Sequence, residues 1–301
     1  MKATFLGTSA GFPTPERNVP ALLLECEGEY LLFDCGEGTQ RQMMRAGMSL
    51  CRKMKIFITH MHGDHLFGLP GLIQTMNLLN RVHRLEVYGP PGIGRFIMEA
   101  VSSTLSEPSF ELSVIEVHEG EAARGKGYRV LGVWADHSIP NMAFKVVFGS
   151  GVGKFDVRKA KRLGVPEGPI RGELKSGREV TLADGRVIRP EMVLGKPSVE
   201  RSLVYTGDTR PTQSVERLAA GTDLLVHEAT FSEELADRAI EVGHSTAIGA
   251  AEIAKRARAK RLILTHVSAR YPDAKLLVDE ARSVFPNADV AEDFASYELK
   301  T

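Results

Sequence analysis

Short apolar runs alternate with turn residues in the first quarter of the chain. Each run is bounded by Gly, Pro or charged residues, a pattern typical of short strands. The pattern predicts hairpins at one edge of a sheet, built from Thr4–Leu6, Ala21–Leu24 and Tyr30–Phe33.

After Ile56–Ile58 the pattern changes to longer amphipathic stretches that alternate with strand-like runs. The stretches predicted as helices are Leu69–Arg81, Gly92–Ser103 and Thr246–Ala257. The runs predicted as strands are Leu85–Tyr88, Tyr128–Val133, Val204–Tyr205, Leu224–Val226 and Leu262–Leu264. This alternation predicts a mixed α/β layered fold.

One segment, Gly149 to Pro197, differs from its surroundings: it is rich in Gly, Pro and charge and poor in large apolar residues. Between Gly151 and Lys196 it holds 11 Lys and Arg against 6 Asp and Glu, an excess of +5. We expect an insertion with little core of its own that projects from the body. A solvated surface loop is the alternative, although structureless loops longer than about 12–15 residues are uncommon in compact domains.

The composition is that of an ordinary globular protein, with 43% hydrophobic and 25% charged residues and a formal net charge of zero. Zero net charge excludes a strong overall attraction to polyanions, so any nucleic-acid surface must be local. Three scattered cysteines without a C-x-x-C pair favour a reducing compartment. The sequence shows neither an export signal nor a run of about 20 apolar residues, so we expect a cytoplasmic protein without a membrane span.

The strongest chemical signal is THMHGDH, which places three histidines and an aspartate within six positions after an apolar strand. Alternate residues of an extended segment project to the same side, so His60 and His62 can face one metal ion. Gly63 permits a sharp turn that brings Asp64 and His65 to the start of the following helix. Two neighbouring metal ions could share this turn.

Further candidate ligands follow apolar runs elsewhere in the chain: His137, Asp208 and His266. Imidazole suits zinc, and a carboxylate such as that of Asp208 can bridge two cations. Singly, each of the three could instead be a capping aspartate or a surface histidine. His83 and His118 lie in polar surroundings and are expected to be solvated.

Four features occur together in the chain: HMHGDH, a later histidine, TGD at the end of a strand and TH at the end of another. This set resembles the metallo-β-lactamase superfamily across nearly the whole chain. Further motifs resemble ribonuclease Z, the endonuclease that removes the 3′ trailer from precursor tRNA: FLGTSAGFPTPERN, FDCGEGTQRQM, VHEATF, GHSTA and HVSARY. The resemblance implies one αββα sandwich domain over residues 1–301. It also implies that residues 149–197 form a protruding flexible arm that grips the tRNA.

The resemblance also implies a role for each matching residue. His60, His62 and His137 would bind a first zinc ion, Asp64, His65 and His266 a second, and Asp208 would bridge the two. Asp64 would also be the general base, and His244 would stabilise or protonate the departing oxygen while Glu228 orients its imidazole. The family usually acts as a homodimer, which implies a dimer here.

RNA contacts are expected at three places. In the arm, basic residues would meet backbone phosphates: Lys154, Arg158, Lys159, Lys161 and Arg162. Beyond the His266 ligand, Arg270 and Ser268 could hold a phosphate. The family loop P-x-K-x-R-N senses the CCA end of tRNA; here Arg17 is retained but Pro15 replaces the lysine, which puts discrimination against mature tRNA in doubt.

Three other functions fit parts of this pattern. A small-molecule metallohydrolase, such as a thioesterase, lactonase or phosphodiesterase, would use the same site but would not need a basic arm. An RNA-binding subunit without chemistry is disfavoured because all seven ligands are present. A 3′ exonuclease activity on RNA ends remains open on sequence alone.

Overall fold

The computed structural model describes residues 1–104, 107–149, 153, 155–195 and 199–299. The chain divides into two compact units, one of residues 1–146 and 202–300 and the other centred on residues 147–201. The predicted insertion, 149–197, lies within the second. In the described part of the chain, no helix is both long enough and apolar enough to span a bilayer.

Two seven-stranded sheets form the frame of the first unit. The first sheet has the order β16-β1-β2-β3-β4-β5-β6 and consists of β1 (Lys2–Gly7), β2 (Ala21–Cys26), β3 (Glu29–Phe33), β4 (Met54–Phe57), β5 (Leu85–Gly89), β6 (Leu112–Glu116) and β16 (Ser296–Glu298). The second has the order β15-β14-β13-β12-β9-β8-β7 and consists of β7 (Gly120–Gly125), β8 (Tyr128–Ala135), β9 (Asn141–Phe148), β12 (Arg201–Tyr205), β13 (Leu224–Glu228), β14 (Leu262–Thr265) and β15 (Ala288–Val290).

Helices cover the outer face of each sheet. On the first sheet are α1 (Thr39–Arg45), α2 (Gly63–Leu66), α3 (Gly68–Leu78) and α4 (Ile93–Ser103). On the second are α8 (Gln213–Leu218), α10 (Ala247–Arg256) and α11 (Lys275–Val284), with α9 (Ala236–Val242) preceding α10. The strands and helices predicted from the apolar pattern are all confirmed, with boundaries that differ by a few residues.

An aromatic cluster joins the inner faces of the two sheets. Phe33 and Phe57 of the first sheet stack with ring centroids 5.0 Å apart. Phe144 of the second sheet lies 5.8 Å from Phe33 and 5.5 Å from Phe57. Because helices cover the other faces, strands such as β2 are apolar on both sides, and Leu22–Leu24 are buried throughout. The layers follow the order helix, sheet, sheet, helix, which confirms the αββα sandwich.

Strand direction determines where the loops of the first unit gather. β3, β4, β5 and β6 are parallel to one another, as are β12, β13, β14 and β15. The antiparallel pair β2–β3 is the predicted hairpin, whereas the sheet edge beside β1 is occupied by the C-terminal β16. Parallel strands place their carboxyl ends along one edge of a sheet, where loops can assemble a site.

The second unit has more core than its composition predicted. It contains α5 (Val157–Arg162), α6 (Pro169–Lys175), the hairpin of β10 (Val180–Thr181) and β11 (Val187–Ile188), and α7 (Pro190–Val193). Its small apolar core is formed by Ala160, Val165, Leu174, Val180, Leu182, Ile188 and Val193. Each short element contributes one or two buried side chains, a spacing too irregular to be recognised as a core in the sequence.

Candidate metal centre

The segment after β4 brings its first two histidines together with His137, which follows β8, and Asp208, which follows β12. Nδ1 of His62 lies 3.1 Å from Nε2 of His60 and 3.2 Å from Nε2 of His137. Oδ2 of Asp208 lies 3.6 Å from Nε2 of His60. One ligand atom from each of the four lies within 4.8 Å of the others.

The second half of the same segment forms an adjoining group with the residue that follows β14. Nε2 of His266 lies 3.4 Å from both Oδ2 of Asp64 and Nε2 of His65. Nε2 of His65 lies 3.5 Å from Oδ2 of Asp64. These three form a separate compact set of donors.

Asp208 lies between the two groups. Its Oδ2 atom is 3.4 Å from Nε2 of both His65 and His266, in addition to its approach to His60. Its Oδ1 atom is buried and has no hydrogen-bond partner among the described residues, although a buried polar atom normally has one. In a tetrahedral zinc site with ligands at about 2.0–2.1 Å, the ligand atoms lie roughly 3.3 Å apart. Both the spacing of the donors and the unpartnered oxygen fit a bound divalent metal ion.

A glycine allows the Asp208 turn to approach the histidine segment. Gly207 has φ +59°, a left-handed conformation that side chains rarely adopt. A Cβ there would lie 2.5 Å from Oδ1 of Asn141 and 2.8 Å from Cβ of Thr59. Only glycine fits between the two loops, so the TGD sequence brings its carboxylate next to His60.

The ring orientation of three of the histidines is determined by partners on their other nitrogen. Nδ1 of His60 contacts Oγ1 of Thr59 at 2.9 Å, and Nδ1 of His266 contacts Oγ1 of Thr230 at 2.9 Å. Nδ1 of His137 donates to the carbonyl of Gly243 at 2.7 Å. The hydrogen bond on Nδ1 leaves Nε2 available as a ligand atom, the usual arrangement in metal sites.

His65 is oriented by Asp34, which follows β3 and is fully buried. Oδ2 of Asp34 lies 2.7 Å from Nδ1 of His65 and accepts a 2.9 Å hydrogen bond from the hydroxyl of Tyr205. Oδ1 accepts the backbone N–H of Thr59 at 2.8 Å. The carboxylate that follows β3 therefore holds two residues that follow β4 and the last residue of β12 in a common arrangement.

Two residues of this network have strained backbones. Asp34 and His266 both have φ 57°, in the left-handed region that favours glycine. Aspartate tolerates this region better than most residues, whereas histidine there is uncommon. Strain of this kind costs about 1–3 kcal/mol and persists where the surroundings enforce it.

Burial controls the charges of the histidines in the first group. It lowers the pKa of His62 and His137 and, together with the neighbouring His65, holds the pKa of His60 well below its ordinary value. These rings are therefore neutral at physiological pH, the form that binds metal ions. Burial would raise the pKa of Asp64, but its contacts with His266 and His65 lower it, so this carboxyl is ionised.

His244 lies beside the ligands and is paired with a buried carboxylate. Its Nδ1 atom donates to Oε1 of Glu228 at 2.8 Å, and its ring is 5.4 Å from the His266 ring. Glu228 also accepts the N–H groups of Thr209 and Thr230. Burial favours the neutral imidazole, yet the Glu228 charge outweighs it and raises the pKa of His244 to about 9. The ring is a protonated donor near neutral pH.

The predicted RNA-contacting residues of the first unit have different surroundings. Arg17 donates to Oγ1 of Thr8 at 2.7 Å and to the carbonyl of Ala291, so it takes part in loop packing. Arg270 is exposed and donates to Oγ of Ser268 at 3.0 Å. A guanidinium with one such neutral contact keeps donors free for an anion.

The predicted arm residues lie on α5, except Lys154, which lies outside the described residues. Arg158, Lys159, Lys161 and Arg162 are exposed, and Ala160 between them is buried. Lys161 has an ion pair with Glu167 at 3.8 Å. Among the described residues, the other three have no ion pair, in contrast to the paired arginines elsewhere in the second unit: Arg171, Arg178, Arg186 and Arg189.

Comparison with known proteins identifies the family. A family profile described as the anti-Pycsar protein Apyc1 matches residues 1–108, and one described as a beta-lactamase superfamily domain matches residues 176–267. The ribonuclease Z of Haloferax volcanii is 46% identical over 302 residues, covering 99% of this chain and 95% of that protein. The ribonuclease Z of Archaeoglobus fulgidus is 45% identical and covers 99% and 97%. The chain belongs to the ribonuclease Z family.

A solved structure of a ribonuclease Z relative agrees with this assignment. The short form of human tRNase Z is 32% identical, has a TM-score of 0.73 and covers all of both chains. A metallo-β-lactamase fold protein of Bacillus subtilis has a TM-score of 0.70 at 19% identity, a likeness that concerns the fold alone. The sequence resemblance to ribonuclease Z is confirmed.

The residues that orient the ligands were not predicted from the sequence. Asp34 lies within the FDCGEGTQ motif and follows a strand before a glycine-containing turn, the same signal that identified Asp208. Thr59 and Thr230 carry no such signal, because single threonines are common in strand-ending segments. His83 and His118 are exposed, as expected.

Proposed function

We propose that this chain is a metal-dependent endoribonuclease that cuts the 3′ trailer from precursor tRNA, leaving a tRNA 3′-hydroxyl and a 5′-phosphorylated trailer. The observation that carries the proposal is the convergence of all seven predicted ligands and the His244–Glu228 pair in a chain of the ribonuclease Z family. A protein that only bound RNA would have no need to maintain this set.

We propose two zinc ions as the cofactor. His60, His62 and His137 would hold one, Asp64, His65 and His266 the other, and Asp208 would bridge them. The nitrogen-rich, partly carboxylate donor set suits zinc. Bound there, the metal ions would activate water as a nucleophile and offset charge on the phosphate oxygens.

The chain's own residues would handle the protons. Asp64 is ionised and its Oδ2 also accepts the backbone N–H of Gly11 at 2.9 Å, which fixes the carboxylate where it could take a proton from the attacking water. His244 carries a proton near neutral pH and could donate it to the departing 3′-oxygen. Glu228 would keep the imidazole of His244 oriented and protonated until it donates its proton to the departing oxygen.

The exposed cations of α5 would bind the tRNA backbone. Three of them lack a carboxylate partner among the described residues, so their charge is available to phosphates. Binding through phosphates is independent of sequence and weakens as salt rises. Arg270 with Ser268 would hold a phosphate near the cut, and Lys154 and Arg17 are further proposed RNA contacts.

We also propose a cytoplasmic homodimer. The three cysteines are free, which supports a reducing compartment. Several large apolar side chains around α3 and α4 are exposed and could be covered by a second copy: Phe67, Leu78, Leu79, Val82 and Met98. Sedimentation of the purified protein tests this: a monomer at micromolar concentration would contradict it.

The central test is cleavage of a precursor tRNA with a labelled 3′ trailer by zinc-loaded protein. We expect one cut after the discriminator nucleotide, abolished by Asp208→Ala and slowed by His244→Ala, whereas His118→Ala, an exposed histidine, serves as the control. Progressive shortening from the 3′ end would show an exonuclease instead. No cleavage by protein that binds two zinc ions would refute the proposal and favour a small-molecule ester or thioester substrate.

A matched pair of triple variants tests the role of the second unit. The first variant changes Arg158, Lys159 and Arg162 to Gln. The second changes three arginines of the same unit to Gln, each of which has an ion pair with a carboxylate: Arg178 with Glu173, Arg186 with Asp184 and Arg189 with Glu179. If the α5 residues meet phosphates, the first variant lowers the slope of log K against log salt by about 2–3 and the second changes it little. Equal effects would contradict a specific role for α5.

A further inference from the structure

An exposed aromatic ring lies one residue from a backbone group that contacts the metal centre. Phe12 is in the loop between β1 and β2, and its side chain is 62% exposed. Gly11, immediately before it, donates its N–H to Oδ2 of Asp64 at 2.9 Å. The two Cα atoms of neighbouring residues are about 3.8 Å apart, so Phe12 is anchored close to the site.

The loop holds Phe12 in a defined place. The N–H of Phe12 donates to the carbonyl of Ala10 at 2.8 Å, and the hydroxyl of Ser9 donates to the carbonyl of Phe12 at 2.7 Å. The N–H of Ala10 donates to the carbonyl of Val267, the residue after the His266 ligand, at 3.0 Å. The tight turn needs φ +72° at Gly11, which glycine supplies without strain.

The ring of Phe12 has no stacking partner among the described residues. Among the described residues, the exposed phenylalanines are Phe12 and Phe67, and Phe67 stacks on Phe96 with centroids 6.4 Å apart. No aromatic ring or cation of the described residues packs on Phe12. An isolated exposed apolar residue is common on surfaces, but here four hydrogen bonds from backbone N–H groups or a hydroxyl fix the loop that carries an exposed ring, one residue from the contact with Asp64.

We propose that Phe12 is a stacking platform for an unpaired base next to the scissile phosphate. This inference rests on the proposed function, because it requires a single-stranded RNA end at the metal centre. Proteins that recognise single strands commonly stack bases on aromatic rings, and every base offers a face, so the contact tolerates different sequences. It would position the nucleotide that flanks the cut without reading its identity.

The test uses a short RNA that spans the cleavage site and carries 2-aminopurine at one flanking nucleotide or the other. Stacking on Phe12 is expected to quench the fluorophore at one of these positions. The comparison is between wild type, Phe12→Leu, which keeps apolar bulk without a π face, and Phe12→Trp, which keeps the face. We expect quenching in wild type and Phe12→Trp and its loss in Phe12→Leu.

Cleavage of precursor tRNA is measured on the same proteins. Loss of one stacked base should lower kcat/KM about 5- to 150-fold in Phe12→Leu, with recovery in Phe12→Trp. Hydrolysis of a small phosphodiester should stay unchanged, because Asp64 keeps its contact with the Gly11 backbone. Equal quenching by wild type and Phe12→Leu, or equal loss in both variants, would overturn the inference. Quenching that depends on Phe12 without any cleavage by wild type would instead overturn the proposed function alone.

Discussion

Raising the pH of the metal-free protein should remove a stabilising ion pair between His244 and Glu228. Burial favours the neutral ring, but Glu228 raises the pKa of His244 to about 9 from an ordinary 6.5. A group whose pKa is raised by folding stabilises the folded state fully below its unfolded pKa. That stabilisation is lost as the pH rises through the folded pKa, so the relevant window runs from about 6.5 to about 9.

The size of the effect follows from the shift. A rise of about 2.5 units corresponds to about 3 kcal/mol at roughly 1.4 kcal/mol per unit. The side chain of His244 is 15% exposed and that of Glu228 is 1% exposed, so solvent screens the pair little. A loss of this size is a large part of the stability of an ordinary domain.

The assay is urea unfolding of chelator-treated protein at about pH 6 and about pH 9.5, which bracket the window. His244→Asn is the matched control, since an amide can donate one hydrogen bond to Glu228 but does not titrate. The free energy of unfolding of wild type should fall by about 3 kcal/mol more than that of the variant between the two pH values. Subtracting the variant removes the effect of other groups that titrate in this range.

The reasoning would be wrong if the two proteins lost stability equally, within about 1 kcal/mol, over this window. It would also be wrong if His244→Asn were the more sensitive protein. Either result would mean that Glu228 does not hold a proton on His244, and that His244 is a weaker candidate for the proton donor.

Three further substitutions test the positioning of the ligands and the core. Asp34→Asn should weaken zinc affinity about 10- to 100-fold, because it replaces the carboxylate beside His65 with a weaker partner, and a competition titration with a chelating dye measures this. Gly207→Ala should reduce both bound metal and thermal stability, since its Cβ would collide with Asn141; normal metal content would contradict the close approach. Arg81→Met should lower the free energy of unfolding by about 3–5 kcal/mol, as it leaves three backbone carbonyls unpaired, and unchanged urea denaturation would refute this.

Strand periodicity and ligand spacing made the body of the fold and its ligands predictable. The THMHGDH segment was informative because ligand-type residues in close sequence must also be close in space. His137, Asp208 and His266 could be recognised because each follows an apolar run, and parallel strands deliver such residues to one edge. Their grouping with one another came from the family resemblance.

The features that were not predicted depend on contacts between residues that are far apart in the sequence. Asp34 orients His65 from 31 positions away, and although it follows a strand as Asp208 does, the sequence does not indicate which residue it contacts. The core of the second unit was missed because its short elements have no clear period. The C-terminal β16 was missed because its pairing with β1 joins residues almost 300 positions apart, as between Thr4 and Ser296.

The left-handed backbone at His266 places stability and activity in opposition. At φ 57° the backbone of His266 carries strain of about 1–3 kcal/mol that a glycine would avoid, but only the buried imidazole, which contacts Thr230, can act as a ligand. The fold therefore gives up part of its stability at the residue where it positions a candidate metal ligand.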